Sequence, residues 1–265
     1  MVDRKNELLR SSSGIMIRLC AVSYLNTKPF LTGLMQSFTK DEITVQTAIP
    51  SECAEIFKQS GADIALVPVG VLPELASYEL LPGYCIGAQG RVDSVFLCSH
   101  EPIEQLDTLI PDLHSRTSNL LAQVLLKSHW RHTVAVQSAV DGSWQKPESG
   151  KGYVIIGDKA VSAARGFRYV YDLAYEWQQY TGLPFVFAVW VHRNLGDKDQ
   201  VRILKAFESG IQKLESVANE WGPVFGLSPG AALYYYQHAI SFTFDEQKRL
   251  GMDRFLDEVR SLAVY

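Results

Sequence analysis

The stretch IRLCAVSYLNT, residues 17–27, decides the fold, because it runs from a buried strand directly into the start of a helix. Its first six residues are almost all apolar, which is typical of a strand covered on both faces of a sheet. A polar segment follows, and Pro29 then opens a helical stretch through Met35, since proline is tolerated in a first helical turn. Asn26 or Thr27 is expected to cap this helix. The pattern predicts a strand-to-helix turn.

The residues after this turn continue the alternation. A second strand is predicted at Thr44–Ile49, and a helix then runs from Ser51, its expected N-cap, to Ser60, with Gly61 closing it. A third apolar strand spans Ile64–Val69. Strand, helix, strand, helix and strand in this order predict a parallel sheet with right-handed crossovers.

The rest of the chain predicts a second α/β unit and a return to the first. We expect a two-lobed α/β protein with mixed, mainly parallel sheets and a ligand cleft between the lobes. The predicted first lobe is residues 16–93 plus 189–265, the second is residues 94–188, and residues 1–15 form a disordered leader. A polar loop is expected at 141–151, and residues 197–264 have a helical period. The other predicted elements are strands at Leu80–Ala88, Asp93–Ser99, Thr133–Gln137, Tyr153–Ile156 and Pro184–His192 and a helix at Asn119–His129.

Composition and charge exclude several classes of protein. A formal net charge of -4 and a pI near 5.9 argue against a nucleic-acid partner, which selects clustered Lys and Arg. No apolar run approaches the roughly 20 residues that cross a membrane, and the first residues are not of signal-peptide type. Cys20, Cys53, Cys85 and Cys98 form no C-x-x-C pair, so we expect buried free thiols in a reducing compartment, the cytoplasm.

The familiar catalytic signatures are absent from the sequence. There is no phosphate-binding loop, no G-x-G-x-x-G, no H-E-x-x-H and no G-x-S-x-G. His129 and His132 lack a partner ligand in register, so neither a metal nor a cofactor is predicted. The run Tyr234-Tyr235-Tyr236 is expected to be helical with one ring packed and the others at the surface, the alternative being an aromatic ligand box.

Two polar segments lie at the start of the two predicted lobes. Ser23, Tyr24 and Asn26 follow the first strand, at the edge of a parallel sheet where helix amides favour anions. They either bind a ligand or cap the helix. Ser94 begins a strand that passes between the lobes, and it either reaches a ligand or satisfies backbone groups at a sheet edge.

Two further polar segments lie in the second predicted lobe. Ser115, Arg116, Thr117 and Ser118 directly precede a helix, where a cation, hydroxyls and helix amides suit a carboxylate. Capping and binding are compatible there, and Arg116 is the one that could instead face solvent. Asp158 follows another strand end and either holds the neighbouring loop or contacts a ligand.

Taken together, these segments resemble the menaquinone-biosynthesis proteins of the futalosine route. The likeness extends over about Ile17 to Arg193. Within that family the pattern resembles the chorismate dehydratases more than the 1,4-dihydroxy-6-naphthoate synthases. The motifs that carry it are the Ser-Tyr-Leu-Asn-Thr turn, Ala62 to Pro68, Leu81 to Gly87, Ser115 to Ser118, Ile155 to Asp158, and Tyr171 to Leu173 with Thr181 to Ala188.

The resemblance implies a fold similar to type II periplasmic binding proteins and the conversion of chorismate to 3-[(1-carboxyvinyl)oxy]benzoate and water, without a cofactor. Because the motifs supply no obvious His or Glu base, our hypothesis is that the substrate's enolpyruvyl carboxylate takes the proton while Asn26 holds it or the leaving hydroxyl. Substrate-binding residues are expected among the remaining motif positions. They are Ser23, Tyr24, Ser94, Ser115, Arg116, Thr117, Ser118 and Asp158.

Two alternatives stay open at this point. One is the sibling naphthoate synthase, which acts on a cyclic futalosine derivative. The other is a non-enzymatic protein of the same fold that binds a small anion. The sequence makes no prediction of oligomeric state.

Overall fold

The computed structural model describes residues 16–139, 141–157 and 159–262. The predicted leader, residues 1–15, lies outside these ranges. Eleven strands fall into two sheets in this part of the chain. They are β1 Ile17–Val22, β2 Ile43–Ala48, β3 Ile64–Pro68, β4 Glu79–Ala88, β5 Val95–Ser99, β6 Thr108–Ile110, β7 Ala135–Val136, β8 Lys151–Ile156, β9 Tyr169–Asp172, β10 Phe185–His192 and β11 Ser241–Phe244.

Helices connect the strands and cover the sheets. Short 3-10 turns occur at Leu25–Thr27 and Val69–Glu74, and π-helical turns extend two of the helices at Leu125–His129 and Tyr235–Ala239. The α-helices are α1 Lys28–Ser37, α2 Pro50–Lys58, α3 Arg116–Val124, α4 Ala160–Ala164, α5 Leu173–Thr181, α6 Asp197–Ile211, α7 Leu214–Trp221, α8 Pro229–Tyr234 and α9 Glu246–Leu262.

The first sheet has six strands in the order β11-β4-β10-β3-β1-β2. β1 pairs in parallel with both β2 and β3, which confirms the parallel unit that the first three strands predicted. β10 returns antiparallel between β3 and β4. β3 is buried along its whole length, as expected of a central strand covered by helices on both faces.

The second sheet has five strands in the order β7-β6-β8-β5-β9. The chain enters it between β4 and β5 and leaves it between β9 and β10. The predicted two-lobed α/β fold with mixed sheets is therefore confirmed. The sheets are not mainly parallel as predicted, because five of the nine strand pairs described are antiparallel. All of β10 lies in the first sheet, so the predicted boundary between residues 188 and 189 falls inside this strand.

Three local expectations were wrong. Residues 241–244 form the edge strand β11 in a region predicted to have a helical period, because this segment pairs with β4 and Phe242 within it is buried. Neither Asn26 nor Thr27 caps α1 through its side chain. α2 begins at Pro50 with Ile49 at its N-cap, so Ser51 lies inside the first turn.

The cysteines match the expectation from the sequence. Cys20, Cys53, Cys85 and Cys98 are all free and buried. Burial raises the pKa of the Cys98 thiol to about 12, and a thiol that stays protonated is a poor nucleophile.

No helix among residues 16–139, 141–157 and 159–262 combines the length and apolar character needed to cross a bilayer.

Candidate functional site

A cleft of about 670 Å³, part of it open to solvent, lies between the two sheets. The carboxyl ends of β1 and β3 reach it from one side, and β5 and β8 reach it from the other. This is the place where ligands bind in proteins built from two α/β lobes. Its walls are mainly apolar and include Val22, Leu66, Pro68, Ile86, Val92, Val95, Ile156, Phe187, Ala188 and Ile240.

 
Most of the polar residues selected from the sequence lie at this cleft, although 94 positions separate the first of them, Tyr24, from the last, Ser118. Tyr24, Asn26 and Ser94 line it together with three residues of the second lobe, Ser115, Thr117 and Ser118. These six side chains come from a strand-to-helix turn, a crossover segment and a helix start. The fold therefore brings six of the predicted site residues into one cavity.

Three predicted site residues are not placed in the cleft. Ser23 does not line it, and its backbone N–H donates to the Ala48 carbonyl at 3.0 Å. The guanidinium of Arg116 forms an ion pair with Glu74, and it is about half exposed, so Arg116 faces away from the cleft. Asp158 lies outside the described residues.

The N-terminus of α3 presents hydroxyl groups and amides to the cleft. Ser115 is the N-cap: its Oγ accepts from the Ser118 backbone N–H at 3.3 Å and donates to Ser118 Oγ at 2.7 Å. Thr117 Oγ1 accepts from the Gly70 backbone N–H at 3.0 Å, which fixes the helix start against the 3-10 turn after β3. The hydroxyl hydrogens of Thr117 and Ser118 can then point toward a ligand acceptor. The amides of a first helical turn add partial positive charge.

Asn26 lies opposite, in the 3-10 turn that follows β1. Its Oδ1 accepts from the Thr27 hydroxyl at 3.3 Å, and Thr27 itself is fully buried. This contact orients the carboxamide. Within the described part of the chain its Nδ2 makes no hydrogen bond, so both Nδ2 hydrogens are available to a ligand in the cleft.

Asp172 joins the two crossover segments and so fixes the position of Ser94. Its carboxylate accepts from the backbone N–H groups of Val92 at 3.0 Å and Asp93 at 2.8 Å, and also from two first-turn amides of α5. Burial raises the pKa of Asp172, and these backbone donors oppose the rise. Ser94 follows directly, with its Oγ donating to the Val92 carbonyl at 3.3 Å.

The sequence did not assign Tyr235 and Gly157 to the site. Tyr234 is exposed and Tyr236 is buried, but Tyr235 lines the cleft, so the expectation that the two unpacked rings face solvent was wrong for Tyr235. The π-helical turn that begins at Tyr235 changes the direction of these side chains. Gly157 has a φ of +74° and lies against the Tyr24 ring, where the two lobes meet.

The polar groups in the described part of this mainly apolar cleft are uncharged. Its described lining contains no Asp, Glu, His, Lys or Arg, and its ionisable side chains there are Tyr24 and Tyr235. The groups that could hold an anion in this cleft are hydroxyl, amide and helix-terminal N–H groups in apolar surroundings, where a hydrogen bond to a charged oxygen is strong.

The structure offers no cluster of metal ligands in its described ranges. His129 Nε2 contacts Glu176 at 3.3 Å, whereas His132 Nε2 contacts the Leu106 carbonyl at 2.7 Å. The two histidines therefore have separate partners.

Comparison with solved structures defines the class of fold. A protein of Archaeoglobus fulgidus superposes with a TM-score of 0.75 at 14% identity, over 96% of this chain and 100% of that one. The alkanesulfonate-binding protein SsuA of Xanthomonas axonopodis pv. citri gives a TM-score of 0.66 at 12% identity, over 94% and 93% of the two chains. The two-lobed α/β architecture with a cleft between its sheets is that of the periplasmic binding proteins.

The family follows from sequence comparison. A family-wide profile described as menaquinone biosynthesis matches residues 17–261, so the chain belongs to the menaquinone-biosynthesis family. The chorismate dehydratase of Thermus thermophilus is 28% identical over 238 residues, covering 79% of this chain and 84% of that protein. The resemblance drawn from the motifs is thereby confirmed.

Proposed function

We propose that this protein is a chorismate dehydratase, which converts chorismate to 3-[(1-carboxyvinyl)oxy]benzoate and water. The observation that carries the proposal is the convergence of Asn26, Ser94, Thr117 and Ser118 on one cleft, whose described lining is mainly apolar and has no charged side chain. Chorismate carries two carboxylates, and such a cleft offers neutral donors to both. The similarity to the Thermus thermophilus enzyme supports the same substrate.

The reaction needs little from a protein acid or base. The proton that leaves lies on the ring carbon that bears the ether, and conjugation to the ring carboxylate acidifies it. The hydroxyl leaves from the adjacent carbon, and aromatisation drives the step. The protein has to orient the substrate and to stabilise the negative charge that develops on the ring carboxylate.

We assign proton removal to the substrate's own enolpyruvyl carboxylate. This assignment is consistent with a described lining that has no carboxylate, histidine or lysine. The C–H proton passes to the enolpyruvyl carboxylate, the C–O bond to the ring hydroxyl breaks, and the departing hydroxide takes that proton back from the carboxylic acid to become water. Asn26 holds the carboxylate or the leaving hydroxyl through Nδ2, and the hydroxyls of Ser94, Thr117 and Ser118 bind carboxylate oxygens.

The direct test is to incubate the purified protein with chorismate and follow the aromatic product by absorbance and mass spectrometry. We expect stoichiometric 3-[(1-carboxyvinyl)oxy]benzoate. Turnover of a cyclic futalosine derivative instead would identify a naphthoate synthase. Chorismate binding without any product would identify a binding protein.

Removing one carboxylate donor should weaken substrate binding more than catalysis. We expect Ser118→Ala to raise KM for chorismate about tenfold or more, because a hydrogen bond to a charged oxygen contributes about 1.5–3 kcal/mol. Steady-state kinetics measure the change. Arg116→Ala is the matched control in the same helical turn, and it should change KM less than about twofold, since an exposed ion pair contributes little. A larger effect of Arg116→Ala than of Ser118→Ala would contradict this arrangement.

A further inference from the structure

Tyr235 brings a phenolic hydroxyl into the cleft from a part of the chain that the proposed reaction has not used. Its oxygen lies 3.4 Å from Ser94 Oγ. Tyr235 belongs to the returning part of the chain, after α8, whereas Ser94 begins the crossover into the second sheet. The two hydroxyls therefore meet across the junction between the lobes.

The neighbouring residue fixes the position of Tyr235. Tyr236 is 1% exposed, and its hydroxyl donates to the Leu25 carbonyl at 3.0 Å. Leu25 is part of the turn that carries Asn26, so this bond ties the π-helical turn to the strand-to-helix turn. Tyr235 is held next to this anchor, which limits the entropy lost when its hydroxyl binds a ligand.

Both hydrogen-bond contacts of the Ser94 hydroxyl are long, so a charged ligand oxygen could form shorter bonds at this position. Ser94 Oγ donates to the Val92 carbonyl at 3.3 Å, and in the contact between Ser94 Oγ and the Tyr235 hydroxyl either group can be the donor. A separation of 3.4 Å is longer than an ordinary O–H···O hydrogen bond. When the Ser94 hydroxyl rotates away from the Val92 carbonyl, a carboxylate oxygen in contact with both hydroxyls would accept a shorter, charge-assisted bond from each of them.

We propose that Tyr235 is a substrate-binding residue that, together with Ser94, forms a second carboxylate site in the cleft and selects ligands with two carboxylates. The first carboxylate site is the N-terminus of α3 with Thr117 and Ser118. This inference rests on the proposed function for the identity of the substrate. It adds the residue that distinguishes a dicarboxylate from a simple benzoate.

The test uses Tyr235→Phe, which removes one oxygen and keeps the ring. Calorimetry measures Kd for 3-(carboxymethoxy)benzoate, a stable ligand with two carboxylates, and for benzoate. We expect Tyr235→Phe to weaken the dicarboxylate about tenfold or more, as loss of one charge-assisted hydrogen bond does, and to change benzoate binding less than about twofold. KM for chorismate should rise in parallel with the Kd of the dicarboxylate.

Tyr234→Phe is the matched control, because Tyr234 is the adjacent tyrosine and is 61% exposed. It should leave both Kd values unchanged. Ser94→Ala is a second variant at the same site and should show the same selective loss. Equal weakening of both ligands by Tyr235→Phe, or no weakening of either, would overturn the inference. A wild-type protein that binds the dicarboxylate but does not convert chorismate would refute the proposed function alone, since the binding comparison still tests Tyr235.

Discussion

Asn26→Ala is expected to lower kcat for chorismate dehydration by about 10²–10³, the range found when one preorganised donor to a developing charge is removed. KM should change less than about threefold. The prediction depends on the position of Asn26 in the cleft and on its Oδ1 accepting from Thr27. Because Asn26 Oδ1 already accepts a hydrogen bond, Asn26 Nδ2 is the group that donates to the enolpyruvyl carboxylate or the leaving hydroxyl, whose charge changes during the reaction.

The expected division between kcat and KM has a physical reason. A hydrogen bond that is stronger in the transition state than in the bound substrate lowers kcat when it is lost, whereas uniform binding affects KM. Hydroxyls of Ser94, Thr117 and Ser118 remain in Asn26→Ala to hold the carboxylates. Chorismate should therefore still bind.

Single-turnover and steady-state kinetics on Asn26→Ala give both constants. Ser23→Ala is the control in the same turn, because Ser23 does not line the cleft, and it should retain full activity. Full activity of Asn26→Ala would refute the role of this residue. Abolition of proton loss by Asp158→Asn would instead require a protein base in place of the substrate carboxylate.

Gly33→Ala is expected to destabilise the fold by about 3 kcal/mol or more, because overpacking that moves the backbone is costly. A Cβ at Gly33 would lie 1.8 Å from the Ala206 carbonyl oxygen, and one at Gly210 would lie 1.8 Å from the Pro29 carbonyl oxygen. The helices α1 and α6 thus touch backbone to backbone at these two glycines. Backbone atoms cannot rotate away as a flexible side chain can, so the helices must separate.

Thermal and urea unfolding measure this change. Gly230→Ala is the control, since Gly230 lies inside α8 and nothing is within 4 Å of its Cβ position. Alanine is a better helix former than glycine by about 1 kcal/mol, so Gly230→Ala should be neutral or stabilising. A Gly33→Ala protein as stable as wild type would show that α1 and α6 can move apart without cost. Because α1 continues the Asn26 turn, we also expect lower activity in Gly33→Ala.

Short-range patterns were enough to predict the elements around the site. The apolar run before Ser23, Pro29 at the start of α1 and Ser115 ahead of α3 act within a few residues, through burial of one segment and through helix-end hydrogen bonds. The Ser115 cap is present as such a pattern predicts. β11 was missed because a four-residue edge strand depends on pairing with β4, in which Ser241 lies opposite Gly87, 154 positions earlier in the chain.

By itself, the sequence determined the parallel start of the first sheet, the two-lobed α/β class, the four buried thiols and the family. It could not determine which side chain of a polar run faces the ligand. In one helical turn Thr117 accepts a hydrogen bond from the Gly70 amide, while Arg116 forms an ion pair with Glu74. Both partners belong to a segment that is distant in sequence. Only the tertiary structure turned Tyr235 into the cleft and brought Gly33 against Ala206, because such contacts depend on how distant elements pack.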